Sequence, residues 1–313
     1  MVERDTRRIV NVEPAYKMGL SGRGVTIAVV DTGIHPSRDF EGRIVVFKDF
    51  VNNVVNPHDD NCHGTHVAGI AAGSGVSSGG KYGGIAPLAN IAAIKSLDVD
   101  GGGESCSVLS GLQWVLENHR SYNIRIANLS VGTNEAMSKD LLVRAVESLW
   151  DAGIVMVVAA GNNGDAPGSI TSPGISKKVI TVGASDDFIP IDMGSAGIMK
   201  DYSGRGPTYD CIIKPNILAP GTGIVSCLSK DLSPQRMAHI SSLIIDEHHV
   251  CLSGTSMSTP VVSGAVALLL EARPDLTPDE VKLVLKHSAR DIKKPPNQQG
   301  WGLLDIGKML GGI

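Results

Sequence analysis

Three short segments hold a carboxylate, an imidazole and a hydroxyl in settings that suit chemistry. Asp31 directly follows an apolar, β-branched run over residues 25–30, so the end of a strand would hold its carboxylate rigidly. His63 begins the segment HGTHVAG, whose small residues predict a helix packed closely on the sheet, with the ring beside such a carboxylate. Ser256 lies in GTSMSTP, before a long apolar run. At a helix N-terminus its hydroxyl is exposed beside free N–H groups that favour an oxyanion.

Each segment alone also has an ordinary structural interpretation. Asp31 could be a capping or turn residue, His63 a structural histidine, and Ser256 a plain helix cap. His63 and His66 are spaced for one helix face and could share a metal ion. However, the only further ligands nearby in sequence are a cysteine and two aspartates just before His63. The order Asp, His, Ser along the chain is more specific than any one segment.

The elements that would position these residues alternate between strand and helix. Continuous apolar runs, typical of strands covered on both faces, occur at residues 25–30, 91–94, 124–129, 154–159 and 179–182. Helical spacing and capping residues predict helices at 106–119, 138–152 and 277–288. This alternation predicts an α/β fold of three layers, α/β/α, with a mostly parallel central sheet. Active sites of such folds lie beyond the carboxyl ends of the strands.

Charge and cysteine content narrow the functional classes. The 313 residues include 28 Lys and Arg against 32 Asp and Glu, a formal net charge of −4, which argues against nucleic-acid partners. No segment reaches the roughly 18 apolar residues of a membrane span, and the N-terminus has no apolar signal-peptide stretch. The five cysteines are widely spaced, without a CxxC pair. Free thiols in a reducing compartment, and so a cytoplasmic location without a membrane partner, are expected.

The three chemical segments resemble the signature motifs of the subtilisin-like serine proteases, the subtilases. VVDTGI surrounds Asp31, HGTHVAG begins at His63, and GTSMSTP contains Ser256. The resemblance covers roughly residues 12–312. It is strongest to bacterial intracellular subtilases of the AprX type, on the segments SSGGKYGGIAP (77–87), SGRGPT (203–208) and KPNILAPG (214–221). It implies a single subtilisin-like peptidase domain over residues 21–313, preceded by an N-terminal arm over residues 1–20.

The resemblance also implies a role for each residue in peptide hydrolysis through an acyl-enzyme. Ser256 would be the nucleophile and His63 the general base and then acid, while Asp31 holds the His63 tautomer. Asn162, in AAGN, matches the asparagine that donates to the oxyanion. No cofactor is expected for catalysis. The alternative is a catalytically silent subtilase-fold protein that acts by binding or regulation, but such proteins usually lose a triad member.

Family members bind polypeptide substrates as an added strand between two edge segments. The matching segments here are Gly101-Gly102-Gly103, whose missing side chains let a strand approach, and Ser130-Val131-Gly132. The pocket for P1, the residue before the scissile bond, would be lined by the second segment, by Ala159-Ala160-Gly161 and by the region of Thr171. No acidic residue occurs there, which predicts an apolar or broad P1 preference. Thr171 stands where relatives often have glycine, which predicts a shallower pocket.

Three accessory features follow from the same resemblance. Asp39 matches a calcium ligand of secreted subtilisins, but the loop 74–80 lacks asparagine and would rely on backbone carbonyls, so structural calcium stays an open expectation. An insertion over residues 229–250 is interpreted as a surface loop near Ser256. Many subtilases carry a propeptide that caps the site, and a partner of this kind is expected here if the chain has been trimmed.

Overall fold

The computed structural model describes residues 5–311 apart from 104, 134–140 and 193–197. Its strands are β1 (Thr26–Asp31), β2 (Ile44–Asp49), β3 (Asn90–Lys95), β4 (Ile124–Leu129), β5 (Val155–Ala159), β6 (Ile180–Ala184), β7 (Ile191–Asp192), β8 (Ile198–Met199), β9 (Ile217–Ala219), β10 (Ile224–Cys227), β11 (Ile244–Asp246) and β12 (His249–Leu252). Its helices are α1 (Thr6–Ile9), α2 (Glu13–Lys17), α3 (His63–Ala72), α4 (Ser105–Asn118), α5 (Leu141–Asp151), α6 (Pro234–Ile240), α7 (Thr255–Ala272), α8 (Pro278–Ser288), α9 (Pro296–Gln299) and α10 (Ile306–Leu310).

A parallel seven-stranded sheet, in the order β2-β3-β1-β4-β5-β6-β9, forms the centre of the fold. Every residue of β1 and β5 is buried. Since successive side chains of a strand point to opposite faces, both faces of the sheet are covered. Helices α3 and α7 pack on each other and on the sheet, and α4 and α5 form a second such pair. The predicted α/β/α architecture is confirmed.

The sequence patterns located five of the seven strands of this sheet to within a few residues, but they did not predict β2 or β9. The capping box predicted at Thr277 and Glu280 is present at the start of α8. The helix predicted over 138–152 is observed from Leu141 to Asp151, and the predicted start at Ser138 lies outside the described residues. Gly153, with φ +94°, follows this helix in the left-handed conformation that glycine favours.

Helix α7 is the one helix of the described chain that is long and apolar enough to cross a membrane. However, 83% of its 18 residues are buried inside the protein. It packs against β4, β5, β6 and β9 and against α3. A Cβ at Gly264 would lie 2.8 Å from the Ala71 carbonyl oxygen, so glycine is required where the two helices meet. This close contact brings the N-termini of α3 and α7, and therefore His63 and Ser256, to the same edge of the sheet.

The 229–250 insertion is more ordered than the surface loop expected from sequence. It contains α6 and β11, and β12 begins within it; β10, β12 and β11 form a small antiparallel sheet. Ile240 and Val250 are buried in a cluster that also includes Cys62. Because Cys62 directly precedes His63, this apolar cluster anchors the insertion beside the start of α3.

The N-terminal residues pack on the body of the protein. Val10, Val12 and Ala15 belong to the main hydrophobic core, and α2 packs against α10. Ile306 N–H donates to the Val10 carbonyl at 2.8 Å. The division into an arm over 1–20 and a domain over 21–313 remains a prediction.

A fully buried lysine, Lys214, lies beside the end of the sheet. Its ammonium donates to the Asn216 side-chain oxygen at 2.8 Å, to the Thr181 hydroxyl at 2.7 Å and to the Val179 carbonyl at 3.2 Å. No carboxylate of the described chain forms an ion pair with it. Burial therefore lowers the pKa of Lys214 well below its ordinary 10.5.

Replacing Asn216 by Asp should stabilise the folded protein, because the carboxylate would give the buried ammonium an opposite charge in the same place. We expect a gain of about 1–3 kcal/mol at neutral pH, measured by urea unfolding. Between the lowered pKa of Lys214 and 10.5, the unfolded chain binds a proton that the folded chain does not. The free energy of unfolding contributed by this group should therefore rise with pH across that window, and Asn216→Asp should flatten the rise.

The control is Asn216→Ala, which supplies no charge and should be less stable than wild type. Equal unfolding free energies and equal pH slopes for wild type and Asn216→Asp would contradict the prediction.

Candidate active site

Asp31 and His63 meet at the carboxyl end of β1. Asp31 is the last residue of β1 and is fully buried, and His63 is the first residue of α3. The distance from His63 Nδ1 to Asp31 Oδ1 is 2.7 Å, and the Thr32 N–H donates to the same oxygen at 2.8 Å. A Cβ at Gly64 would lie 2.3 Å from the Gly33 carbonyl oxygen, so glycine lets the helix start this close to the strand end. The small residues of HGTHVAG serve the predicted purpose.

Asp59, considered from sequence only as a metal ligand, holds the start of α3. Its buried carboxylate accepts from the Thr65 N–H at 2.8 Å and hydroxyl at 2.6 Å, and from the Cys62 N–H at 3.0 Å. The Thr32 hydroxyl donates to Oδ1 of the same carboxylate at 2.8 Å. Asp59 therefore caps the helix N-terminus and ties it to the residue after Asp31. A sequence signal existed, since an aspartate shortly before an apolar helix is a capping candidate.

Lys95, the last residue of β3, was also missed. Its ammonium is completely buried and donates to Asp60 Oδ1 at 2.7 Å, to the Thr32 carbonyl at 2.7 Å and to the Leu97 carbonyl at 3.0 Å. Lys95 therefore ties the residue after Asp31 to Asp60 and to the segment that follows β3. The charged residue looked like an ordinary end of an apolar run in the sequence.

The two histidines of α3 have opposite electrostatic surroundings. Burial alone lowers the pKa of His63, but the charge and hydrogen bond of Asp31, with the more distant Asp59, outweigh it and raise the pKa above its ordinary 6.5. Burial lowers the pKa of His66 to about 3. His66 Nε2 lies 3.0 Å from the Ile224 carbonyl, so the neutral ring ties α3 to the small sheet. The described residues hold no cluster of His, Cys, Asp or Glu fit for a metal, which disfavours a shared metal for the pair.

Ser256 lies in the first turn of α7, half-buried at the cleft that His63 also lines. In this structure its hydroxyl donates to the Ser130 carbonyl at 2.9 Å. Asn162 faces the same cleft. The oxygen of its side chain accepts from the Thr255 N–H at 2.9 Å and hydroxyl at 3.0 Å. That fixes the amide, and its Nδ2 has no partner within the described chain. The structure thus brings Asp31, His63, Asn162 and Ser256 together.

The cleft beside Ser256 has a volume of 430 Å³. Of the residues predicted to bind substrate, those lining it are Gly101, Ser130, Val131, Gly132, Ala159, Gly161 and Thr171. The other three do not line it. Gly102 and Gly103 are exposed beside it, with the Gly102 N–H and carbonyl bound to Asp98, and Ala160 is buried. The backbone groups of Val131 and Gly132 have no hydrogen-bond partner among the described residues, which leaves an edge for an added strand.

Thr171 lines the cleft and packs against two of its glycines. A Cβ at Gly132 would lie 2.3 Å from Thr171 Oγ1, and one at Gly161 would lie 2.5 Å from Thr171 Cγ2. The Thr171 N–H donates to the Ala160 carbonyl at 3.0 Å, and this bond fixes the backbone of Thr171. The threonine therefore fills space beside these two residues that glycine would leave open.

Some of the oxygens considered for calcium already have protein partners. Asp39 is buried, and its carboxylate accepts from the Ser74 hydroxyl at 3.3 Å. The loop carbonyls of Gly80 and Lys81, the ligand type that this loop would have to supply, both accept from the Arg7 guanidinium at 2.9 Å. The Arg7 guanidinium therefore already occupies these two oxygens, and structural calcium stays a prediction.

Comparisons with known proteins agree with this geometry. The model of the subtilase family matches residues 22–302. The chain is 44% identical over 294 residues to the serine protease AprX of Bacillus subtilis (strain 168), covering 91% of this chain and 66% of that protein. It is 32% identical to subtilisin Savinase of Lederbergia lenta, covering 95% of this chain and 94% of that protein.

A solved structure gives the same result for the fold. The crystal structure of a cold-adapted subtilisin-like serine proteinase matches with a TM-score of 0.70 and 30% identity, over 91% of this chain and 90% of that chain. The chain spans just under two thirds of the length of AprX and nearly all of Savinase. We conclude that the chain belongs to the subtilase family. The conclusion rests on the family match, on the named serine protease and subtilisin, and on the parallel sheet with its flanking helices.

Proposed function

We propose that the chain is a serine endopeptidase that hydrolyses peptide bonds through an acyl-enzyme on Ser256. The observation that carries this proposal is the 2.7 Å contact between His63 Nδ1 and the buried Asp31 carboxylate, at the edge of the cleft that holds Ser256. Donation from Nδ1 leaves Nε2 as the basic nitrogen. The Ser256 hydroxyl, which donates to a backbone carbonyl in this structure, must turn to His63 when substrate binds.

In the first step, Ser256 Oγ attacks the carbonyl carbon of the scissile bond while its proton passes to His63 Nε2. The Asn162 amide and the Ser256 N–H, at the N-terminus of α7, would donate to the oxyanion. His63 then protonates the leaving amine, and water repeats the sequence to release the acyl group. All the groups that this mechanism uses are protein groups, so we propose no cofactor for catalysis.

Polypeptides are the proposed substrates, held as an added strand on the free backbone edge at Val131 and Gly132. The chain's own propeptide, if one exists, would use the same edge. The cysteines support a reducing, cytoplasmic location: none of the five forms a disulfide within the described chain, and Cys62, Cys227 and Cys251 are buried.

Labelling with a fluorophosphonate tests the activated serine without the choice of a substrate. Wild type should carry the label on Ser256, located by peptide mass mapping, and Ser256→Ala should carry none. Ser258→Ala removes a buried hydroxyl from the same motif and should be labelled like wild type. Absence of label on folded wild type, or label that persists in Ser256→Ala, would overturn the proposal and favour the silent binding protein.

The labelling rate should rise with pH as His63 loses its proton. Because the pKa of His63 is raised above 6.5, the half-maximal rate should lie above pH 6.5. Asp31→Asn removes the charge that raises this pKa, so the remaining reaction should have its midpoint at lower pH. Its maximal rate should fall by about 10⁴, the loss known for the corresponding change in chymotrypsin-type enzymes. The same midpoint in both proteins would contradict the assigned pair.

For P1 we propose an apolar or broad preference, limited in size by Thr171. Replacing Thr171 by Gly should raise kcat/KM for peptides with Phe at P1, relative to Ala at P1, by about tenfold. Thr171→Ser, which removes only the methyl group, should give a smaller rise. Peptides that differ only at P1 provide the measurement. An unchanged ratio of the kcat/KM values for Phe and Ala in Thr171→Gly would show that Thr171 does not limit the size of the P1 pocket.

A further inference from the structure

A second cavity adjoins Ser256 on the side away from the substrate cleft. It has a volume of 670 Å³ and shares His63, Asn162, Arg236 and Ser256 with that cleft. Its described wall contains none of the proposed strand or P1 residues, such as Gly132 and Thr171. An extended peptide that passes the nucleophile has its acyl part in the cleft. The part on the carboxyl side of the scissile bond must therefore continue toward this second cavity.

The wall of this cavity is mainly apolar. Its apolar side chains include those of Cys62, Ile240, Leu243, Cys251, Leu252 and Met257. Burial raises the pKa of the Cys62 thiol to about 12, so the sulfur is an uncharged part of the wall. An apolar concave surface of this size favours an apolar group over a charged one.

The 229–250 insertion builds one side of the wall. Ile240 is the last residue of α6, and Leu243 follows it in a short 3₁₀ turn. Arg236, also on α6, lies between the two cavities. Its guanidinium donates to the Asn61 backbone carbonyl and to the Asn61 side-chain oxygen, both at 3.2 Å. These bonds fasten the insertion to the segment just before His63, so its apolar side chains have a fixed position relative to the triad.

We propose that the 229–250 insertion makes the protease selective for an apolar side chain at one of the two residues that follow the scissile bond, because Ile240 and Leu243 form part of the wall against which that side chain would lie. The inference rests on the proposed function, because it assumes that Ser256 forms an acyl-enzyme.

Partition of the acyl-enzyme isolates this side of the site. A peptide ester with a fixed acyl part forms the acyl-enzyme and releases its alcohol. Water or an added amine then attacks the acyl carbon, and the bond from that carbon to Ser256 Oγ breaks. With an amine a new amide bond forms, and the amine proton passes through His63 to Ser256 Oγ. The ratio of aminolysis to hydrolysis is normalised to the same acyl-enzyme, so a general loss of activity cancels.

The amines are the dipeptide amides Leu-Ala, Ala-Leu, Ala-Ala, Asp-Ala and Ala-Asp. We expect the better of the two leucine compounds to partition at least about tenfold better than Ala-Ala, and better than aspartate in the same position. Leu243→Asn should reduce the leucine preference by about tenfold. Leu243→Lys should reverse the order and favour aspartate.

The matched control is Ile245→Asn, in β11 of the same insertion. Ile245 is 41% exposed and does not line the cavity, so wild-type partition ratios are expected. Ester turnover with equal ratios for all amides would overturn the inference while the proposed function stands. The same holds if Leu243→Asn and Ile245→Asn behave alike. Complete absence of ester turnover in wild type would instead overturn the proposed function itself.

Discussion

The buried carboxylate of Asp31 is the constraint on which the site depends. It is cut off from water, one oxygen is shared by His63 and Thr32, and the other has no partner in the described chain. A buried carboxylate is costly unless its hydrogen bonds are kept. Much of the surrounding structure keeps them: Asp59 caps the helix that carries His63, and Lys95 fixes the backbone beyond the strand. The imidazole is thereby held in one orientation before any substrate arrives.

The sheet and the reactive residues could be predicted from sequence because both depend on local patterns. Continuous apolar runs located five of the seven sheet strands but missed β2 and β9, and His63 and Ser256 were recognised in short motifs with small residues. The roles of Asp59, Lys95 and Lys214 could not be predicted in this way. Their partners are backbone groups brought near by folding, and a buried charged residue has the same local sequence as an exposed one.

The insertion was misjudged for a related reason. Its apolar residues, such as Ile240 and Val250, show no clear helical or strand period, and each becomes buried only against a distant segment. The structure separates two tasks. Core elements carry the candidate reacting groups, whereas Ile240 and Leu243 of the insertion line the adjoining cavity. Under the proposed selectivity, changes confined to this peripheral segment would alter the preference for the leaving group.

The close contact of α3 and α7 at Gly264 has a consequence for synthesis of the chain. The residues that orient the base come early in the sequence, while the nucleophile is carried by a helix that leaves the ribosome after most of the sheet. Helix α7 is also a central part of the core, so its docking completes the core and assembles the site in one event. For the proposed protease, a nascent or partly folded chain would therefore have no working nucleophile, and the capacity to cut would appear only when folding is nearly finished.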